Sequence, residues 1–125
     1  MFGSSDLDTL DSAFNLGNVP GRQGRYKEAE VLYQRALEGQ KSVLGDDYPA
    51  TLKSASSLGV VLANQKLYKQ AEELHRRALK GQEKLLGLDH PDTLASVNNI
   101  RHVLGCQGQY EEAEALYQRF VVELE

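Results

Sequence analysis

Residues 26–45 read YKEAEVLYQRALEGQKSVLG, residues 68–87 read YKQAEELHRRALKGQEKLLG, and residues 110–125 read YEEAEALYQRFVVELE. The three segments start 42 residues apart, and the first two agree at 12 of 20 positions. A fixed period of this size marks a solenoid, in which each repeat is one supersecondary unit that must stack on its neighbours to bury an apolar face. Such a chain offers a surface to a partner more readily than a pocket for a reaction.

The period runs beyond these segments. Thr9-Leu10, Thr51-Leu52 and Thr93-Leu94 fall in register, as do Leu16, Leu58 and Ile100, the pair Pro49 and Pro91, and the series Gln23, Gln65 and Gln107. Each unit therefore has two parts. From about Pro49 to Gln65 the apolar positions Leu52, Ala55, Gly59 and Leu62 follow helical spacing. From Tyr68 to about Leu86, Ala71, His75, Ala78, Leu79 and Leu85 share one side. These are read as helices A and B, joined by a turn at Lys66-Leu67. Gly45 and Gly87 stand where a left-handed C-terminal residue is favoured. Asp47 and Asp89 suit a cap or the positive end of the next helix, and Pro49 and Pro91 suit its first turn. Gly39 and Gly81, inside helix B, should each cost about 1 kcal/mol against alanine, so their recurrence points to a close neighbour. His75, in register with Tyr33 and Tyr117, reads as a half-buried spacer. The pairs Glu72-Glu73 and Glu111-Glu112 are assigned to the first turns of B helices.

The residues Leu58-Gly59, Leu62, Tyr68, Ala71, His75 and Ala78 resemble the tetratricopeptide repeat family, with His75 where that family has an aromatic. The usual period there is about 34 residues. The 42-residue form, with a lengthened helix B and the linker LGLDHPDTL, is similar to the kinesin light chain subtype, which also occurs as the sensor array of some signalling NTPases. The resemblance implies an all-α fold: a short right-handed superhelical solenoid of three helix-turn-helix repeats, at about 6–44, 48–86 and 90–125, in a single domain 1–125. Three departures stand out. Pro20 replaces Leu62 and Leu104, so the first A helix should end or kink near Asn18. Phe120 replaces Ala36 and Ala78, which should obstruct a following A helix. Met1-Phe2-Gly3 aligns with the repeat boundary at 43–45, which is either chance or the start of a fragment of a longer array.

A formal net charge of -4 argues against nucleic acid or an anionic membrane as the main partner. No apolar run approaches the roughly 18 residues a membrane span needs, and MFGSSDLDTLDS lacks the regions of a signal peptide. With one cysteine, Cys106, these features lead to the expectation of a cytoplasmic protein. No cofactor and no metal are expected.

In the family resembled, A helices line the concave face. The stripe opposite the apolar side of A is Asp11, Asn15, Asn18 and Arg22, then Lys53, Ser57, Val60 and Asn64, then Ala95, Asn99, His102 and Cys106, with Phe14, Ser56 and Asn98 beside it. Asparagine both donates and accepts, so it can hold an extended peptide backbone without demanding a sequence. Equally, these asparagines can serve only to tie helices together. By resemblance, Asn15 and Asn99 occupy the helix-A asparagine of the light-chain pattern. Capture of a C-terminal carboxylate would use Lys53, Arg22, Arg101 and His102, but Val60 and Ala95 interrupt that stripe. A short acidic or aromatic peptide, as the light-chain subtype binds, fits it better. His102 and Cys106 have the spacing of two metal ligands or a thiol–imidazole pair, yet two ligands do not make a zinc site.

The expected function is therefore non-catalytic binding of a peptide or partner segment, with groove candidates Asn15, Asn18, Arg22, Lys53, Ser57, Asn64, Asn98, Asn99 and His102. The alternative is a self-associating assembly unit or a piece of a longer array, with end-to-end contacts at Phe2, Phe120, Val121 and Leu124, because exposed apolar patches mark contacts.

Overall fold

The structure, a computed structural model, describes residues 24–120. The expectations placed on Asn15, Asn18, Arg22, Pro20, Phe2, Val121 and Leu124 lie outside the described residues. Within them run five helices and no strand: α1 Tyr26–Leu44, α2 Pro49–Asn64, α3 Tyr68–Leu86, α4 Pro91–Cys106 and α5 Tyr110–Phe120. They match the expected A and B segments to within a residue. α2 and α3 form one unit, α4 and α5 the next, and α1 is the B helix of the unit before them. Each helix packs on the one that follows it, and α2 also touches α4.

The packing is close because the contact positions are small. Ala29, Ala36, Ala71 and Ala78 are each 0% exposed. One apolar cluster joins Ala29, Tyr33 and Leu37 of α1 to Ala55, Leu58, Val61 and Leu62 of α2, Ala71 of α3 and Val103 of α4. A second joins Leu79 of α3 to Val97, Ile100 and Leu104 of α4 and Phe120 of α5. Gly81 admits Leu52: a Cβ at Gly81 would lie 2.7 Å from the leucine Cδ2. At Gly81 the close neighbour expected of this glycine is Leu52.

The helix ends differ from expectation in two respects. Gly45 and Gly87 have φ 97° and 93° with ψ 165° and 167°. This is not the left-handed helical basin but an extended positive-φ region open essentially to glycine alone. The N–H of Gly45 bonds the carbonyls of Gln40 and Lys41, and that of Gly87 bonds Gln82. The aspartates do not cap the A helices. Tyr48 and His90 hold the cap positions, and the His90 Nδ1 accepts from the Asp92 N–H at 3.1 Å. Proline does begin both helices.

Polar groups repeat with the same register as the apolar ones. Ser54 Oγ donates to Gln40 Oε1 at 2.5 Å, and Ser96 Oγ donates to Gln82 Oε1 at 2.5 Å, both pairs buried. Gln65 donates to Glu30 at 2.8 Å, and Gln107 donates to Glu72 at 2.9 Å. Each A helix is thereby tied to the B helix before it by a buried serine at one end and a turn glutamine at the other.

Candidate functional site

The A helices α2 and α4 lie side by side, and their faces turned away from the B helices are where a groove was expected. On α2, Lys53, Val60 and Asn64 are exposed and Ser57 is half-buried. On α4, Ala95, Asn98, His102 and Cys106 are exposed. Small and uncharged groups dominate this surface, with Lys53 its exposed cation.

The two asparagines of α4 exchange the places read from periodicity. Asn99 is half-buried and its Nδ2 donates to Ser56 Oγ of α2 at 3.4 Å. It ties neighbouring A helices together. Asn98 is exposed instead. A heptad-like count places 99 on the stripe, but α4 is contacted by α3, α5 and α2, so less of its circumference is free than a two-sided helix would leave.

Cys106, near the end of α4, has its Sγ 3.7 Å from His102 Nε2. The pKa of the Tyr68 phenol is raised, first by the Cys106 side chain and then by desolvation. Among the described residues no group of three or more histidine, cysteine or acidic side chains is placed to hold a metal ion.

His75 is not half-buried but 1% exposed. Its ring fills the space beside Gly59, where a Cβ would lie 2.7 Å from Cε1. Its Nδ1 finds no partner. Burial, with a smaller contribution from the charge of His102, lowers its pKa to about 4, so the ring is neutral at pH 7. The same register pair in the next unit is Arg101 and Tyr117, and there the guanidinium lies 4.4 Å over the ring centroid. Glu72 is not in the first turn of α3 but one turn further in. Burial works to raise its pKa, and hydrogen bonds from Gln107 and Arg76 with the charges of Arg76 and Lys69 outweigh that and lower it. Arg76 bridges Glu72 at 2.8 Å and Glu112 of the next unit at 2.7 Å.

Phe120 corrects the expected apolar end. It is 1% exposed and turned inward against Leu79, Val97, Ile100 and Leu104, with the Arg119 guanidinium 4.7 Å from its ring. It fills the space between α3 and α4, so it does not stand out as an exposed contact. Sequence reading missed a different feature. Asn98, Arg101, His102 and Gly105 of α4 with Tyr110, Ala113 and Glu114 of α5 line an open depression of about 460 Å³. Their register with Ser56, Gly59, Val60, Ala63, Tyr68, Ala71 and Glu72 was the available signal.

The profile of the tetratricopeptide repeat family matches residues 6–63 and 54–120. The chain belongs to the tetratricopeptide repeat family. No curated protein matches it significantly. Among solved structures, this repeat chain is similar to BtubC (BKLC) from P. vanneervenii at 25% identity and TM-score 0.81, over 88% of this chain and 44% of that one. It is also similar to nearly identical TPR-like repeats of kinesin light chain type from Podosopora anserina, at 26% identity and TM-score 0.83, over 90% and 54% of the two chains. The TPR domain of Arabidopsis FLU shares the fold at 22% identity and TM-score 0.82, over 95% and 97%. This repeat chain thus spans about half the length of the first two. The 42-residue period agrees with the kinesin light chain-like repeats, and the fold is the all-α repeat solenoid. Among the described residues no helix is long and apolar enough to cross a membrane.

Proposed function

We propose that these 125 residues form one non-catalytic protein-interaction domain in the cytoplasm, whose uncovered A-helix face receives a peptide or partner segment. The observation that carries the reading is the exposure of Lys53, Val60 and Asn64 on α2 and of Ala95, Asn98 and His102 on the neighbouring α4. Side chains of this kind leave room for an extended chain and offer it donors and acceptors without imposing a sequence. The sparse charge disfavours nucleic acid, and Lys53 gives an acidic residue of the partner its contact.

Asn98 and His102 are the residues to alter, because Asn99 holds α4 to α2 and its loss would disturb the fold as well as the face. In a peptide-display selection on the purified chain, enriched sequences should share a motif, and their affinity should fall about tenfold or more in Asn98→Glu or His102→Glu. Enrichment that survives both substitutions would remove the A-helix face as the binding site. A folded chain that enriches nothing would remove the reading.

A further inference from the structure

The B helices α1 and α3 flank an open groove of about 320 Å³ that shares no residue with the exposed A-helix face. Leu58 and Leu62 of α2 lie at its base, and Leu74 of α3 is half-buried on its wall. The charged side chains that line it are Glu30, Glu38 and Lys41 of α1 and Glu73 of α3, three carboxylates against one ammonium.

One repeat later the chain bridges the equivalent walls, α3 and α5, with two ion pairs of its own. Arg76 of α3 reaches Glu112 of α5 at 2.7 Å while also holding Glu72 at 2.8 Å, and Arg119 of α5 reaches Glu83 of α3 at 3.4 Å. Neither pair can form between α1 and α3. Arg76 and Glu112 are in register with Gln34 and Gln70, two neutral amides, and Arg119 and Glu83 with Arg77 and Lys41, two cations. Gln34 instead donates to Glu38 of its own helix at 3.4 Å, and Arg77 turns to Asp46 at 3.6 Å. Glu30, in register with Glu72, keeps the hydrogen bond from its turn glutamine, as Glu72 does, but faces an amide at position 34 where Glu72 faces an arginine. The groove thus repeats the carboxylate of the next junction without its guanidinium.

We propose that the α1–α3 groove takes an arginine-bearing segment of a partner protein, whose guanidinium supplies the charge that Arg76 supplies one repeat later. Arginine suits the site better than lysine, because its planar fork bonds two carboxylates at once, as Arg76 does. Its methylene stem can lie along Leu74 while the charge stays at the rim. Lys41 repels further cations, so the segment is arginine set among apolar residues rather than a polybasic run. The rest of this sequence does not offer such a segment: residues 1–23 hold three aspartates and one arginine, and residues 121–125 two glutamates and no base. A second copy carries the same excess of acid, a formal net charge of -4, which opposes its approach. Ion pairs at a solvated rim are weak, so the complex is a reversible one.

The test is fluorescence anisotropy of a dye-labelled peptide Leu-Arg-Leu-Ala-Arg-Leu, titrated with the chain up to about 1 mM. The peptide should bind, and its analogue with neutral citrulline for arginine should bind about tenfold more weakly. The double substitution Gln34→Arg with Gln70→Glu rebuilds the Arg76–Glu112 bridge across the groove and leaves the net charge unchanged. It should weaken binding about tenfold without lowering the melting temperature. The exposed Glu73→Gln should weaken binding about threefold, whereas the equally exposed Glu111→Gln, outside the groove, should not. If the double variant does not fold, Glu73→Gln against Glu111→Gln decides. A chain that leaves the arginine peptide unbound would overturn the proposal. So would equal affinity for the citrulline peptide, or binding unchanged by the groove substitutions. His102→Glu on the A-helix face should leave this peptide bound, and the double variant should still bind the peptides selected on that face, so the two readings fail separately.

Discussion

The His75 imidazole occupies the space that a side chain at Gly59 would enter, with Cε1, Nε2 and Nδ1 all within 3.0 Å of the missing Cβ. One repeat later the same two positions hold Arg101 and Tyr117, stacked at 4.4 Å. The repeat therefore keeps a contact between these positions while changing its chemistry, from a ring against bare backbone to a cation over a ring. Gly59→Ala should destabilise the chain by up to about 2 kcal/mol. A clash in a packed core costs about 1–3 kcal/mol, and the gain in helix propensity returns about 1. Gly105→Ala is the control: it lies in α4 with nothing within 4 Å of its Cβ among the described residues, and should stabilise by up to about 1 kcal/mol. Urea midpoints of the two variants should move in opposite directions.

His75 also sets a pH dependence. Its folded pKa, lowered to about 4, is below the ordinary value of 6.5, so the unfolded chain binds the proton first. Stability is whole above pH 6.5 and falls as the pH drops toward 4, by about 3 kcal/mol over that window. The groups facing it include His102, whose charge adds to the effect of burial. His75→Tyr, which restores the residue of Tyr33 and Tyr117, should flatten this slope in denaturant melts run at pH 7 and pH 4.5. The lowering of the Glu72 pKa acts in the same direction at lower pH, because a depressed carboxylate contributes stability that is lost as pH falls through its folded pKa.

The buried serine–glutamine pairs should be sensitive to truncation on one side. Ser96→Ala leaves Gln82, 4% exposed, with its Oε1 unpaired. An orphaned buried acceptor costs about 1–3 kcal/mol. Ser54→Ala should cost a similar amount through Gln40, and in the double variant the effects should add, since the pairs lie at separate junctions. Thermal denaturation of the two single variants and the double variant checks both statements.

Lys66 has φ 67°, in register with Gly24 at φ 77° and Gly108 at φ 78°. A left-handed conformation costs a non-glycine residue about 1 kcal/mol or more. Lys66→Gly should therefore stabilise by about 0.5–1 kcal/mol, after the larger chain entropy that glycine loses on folding. An unchanged or lowered urea midpoint would show that Lys66 makes a compensating contact.

The sequence by itself determined the period, the helix pairs, their ends to within a residue, and the family. These are local or repeated signals: proline at the start of A, glycine at the end of B, alanine at each close contact. Tertiary structure decided what depends on which sides of a helix are contacted. The spacing of α4 could not separate Asn98 from Asn99, because α2, α3 and α5 all press on that helix. It could not show His75 fully enclosed, since the depth of a side chain is set by the bare Gly59 opposite. It read Phe120 as an exposed end, whereas the ring fills the space between α3 and α4. In a solenoid each helix has neighbours within its unit and beyond it, and a one-dimensional pattern records that a residue is apolar without recording which neighbour it meets.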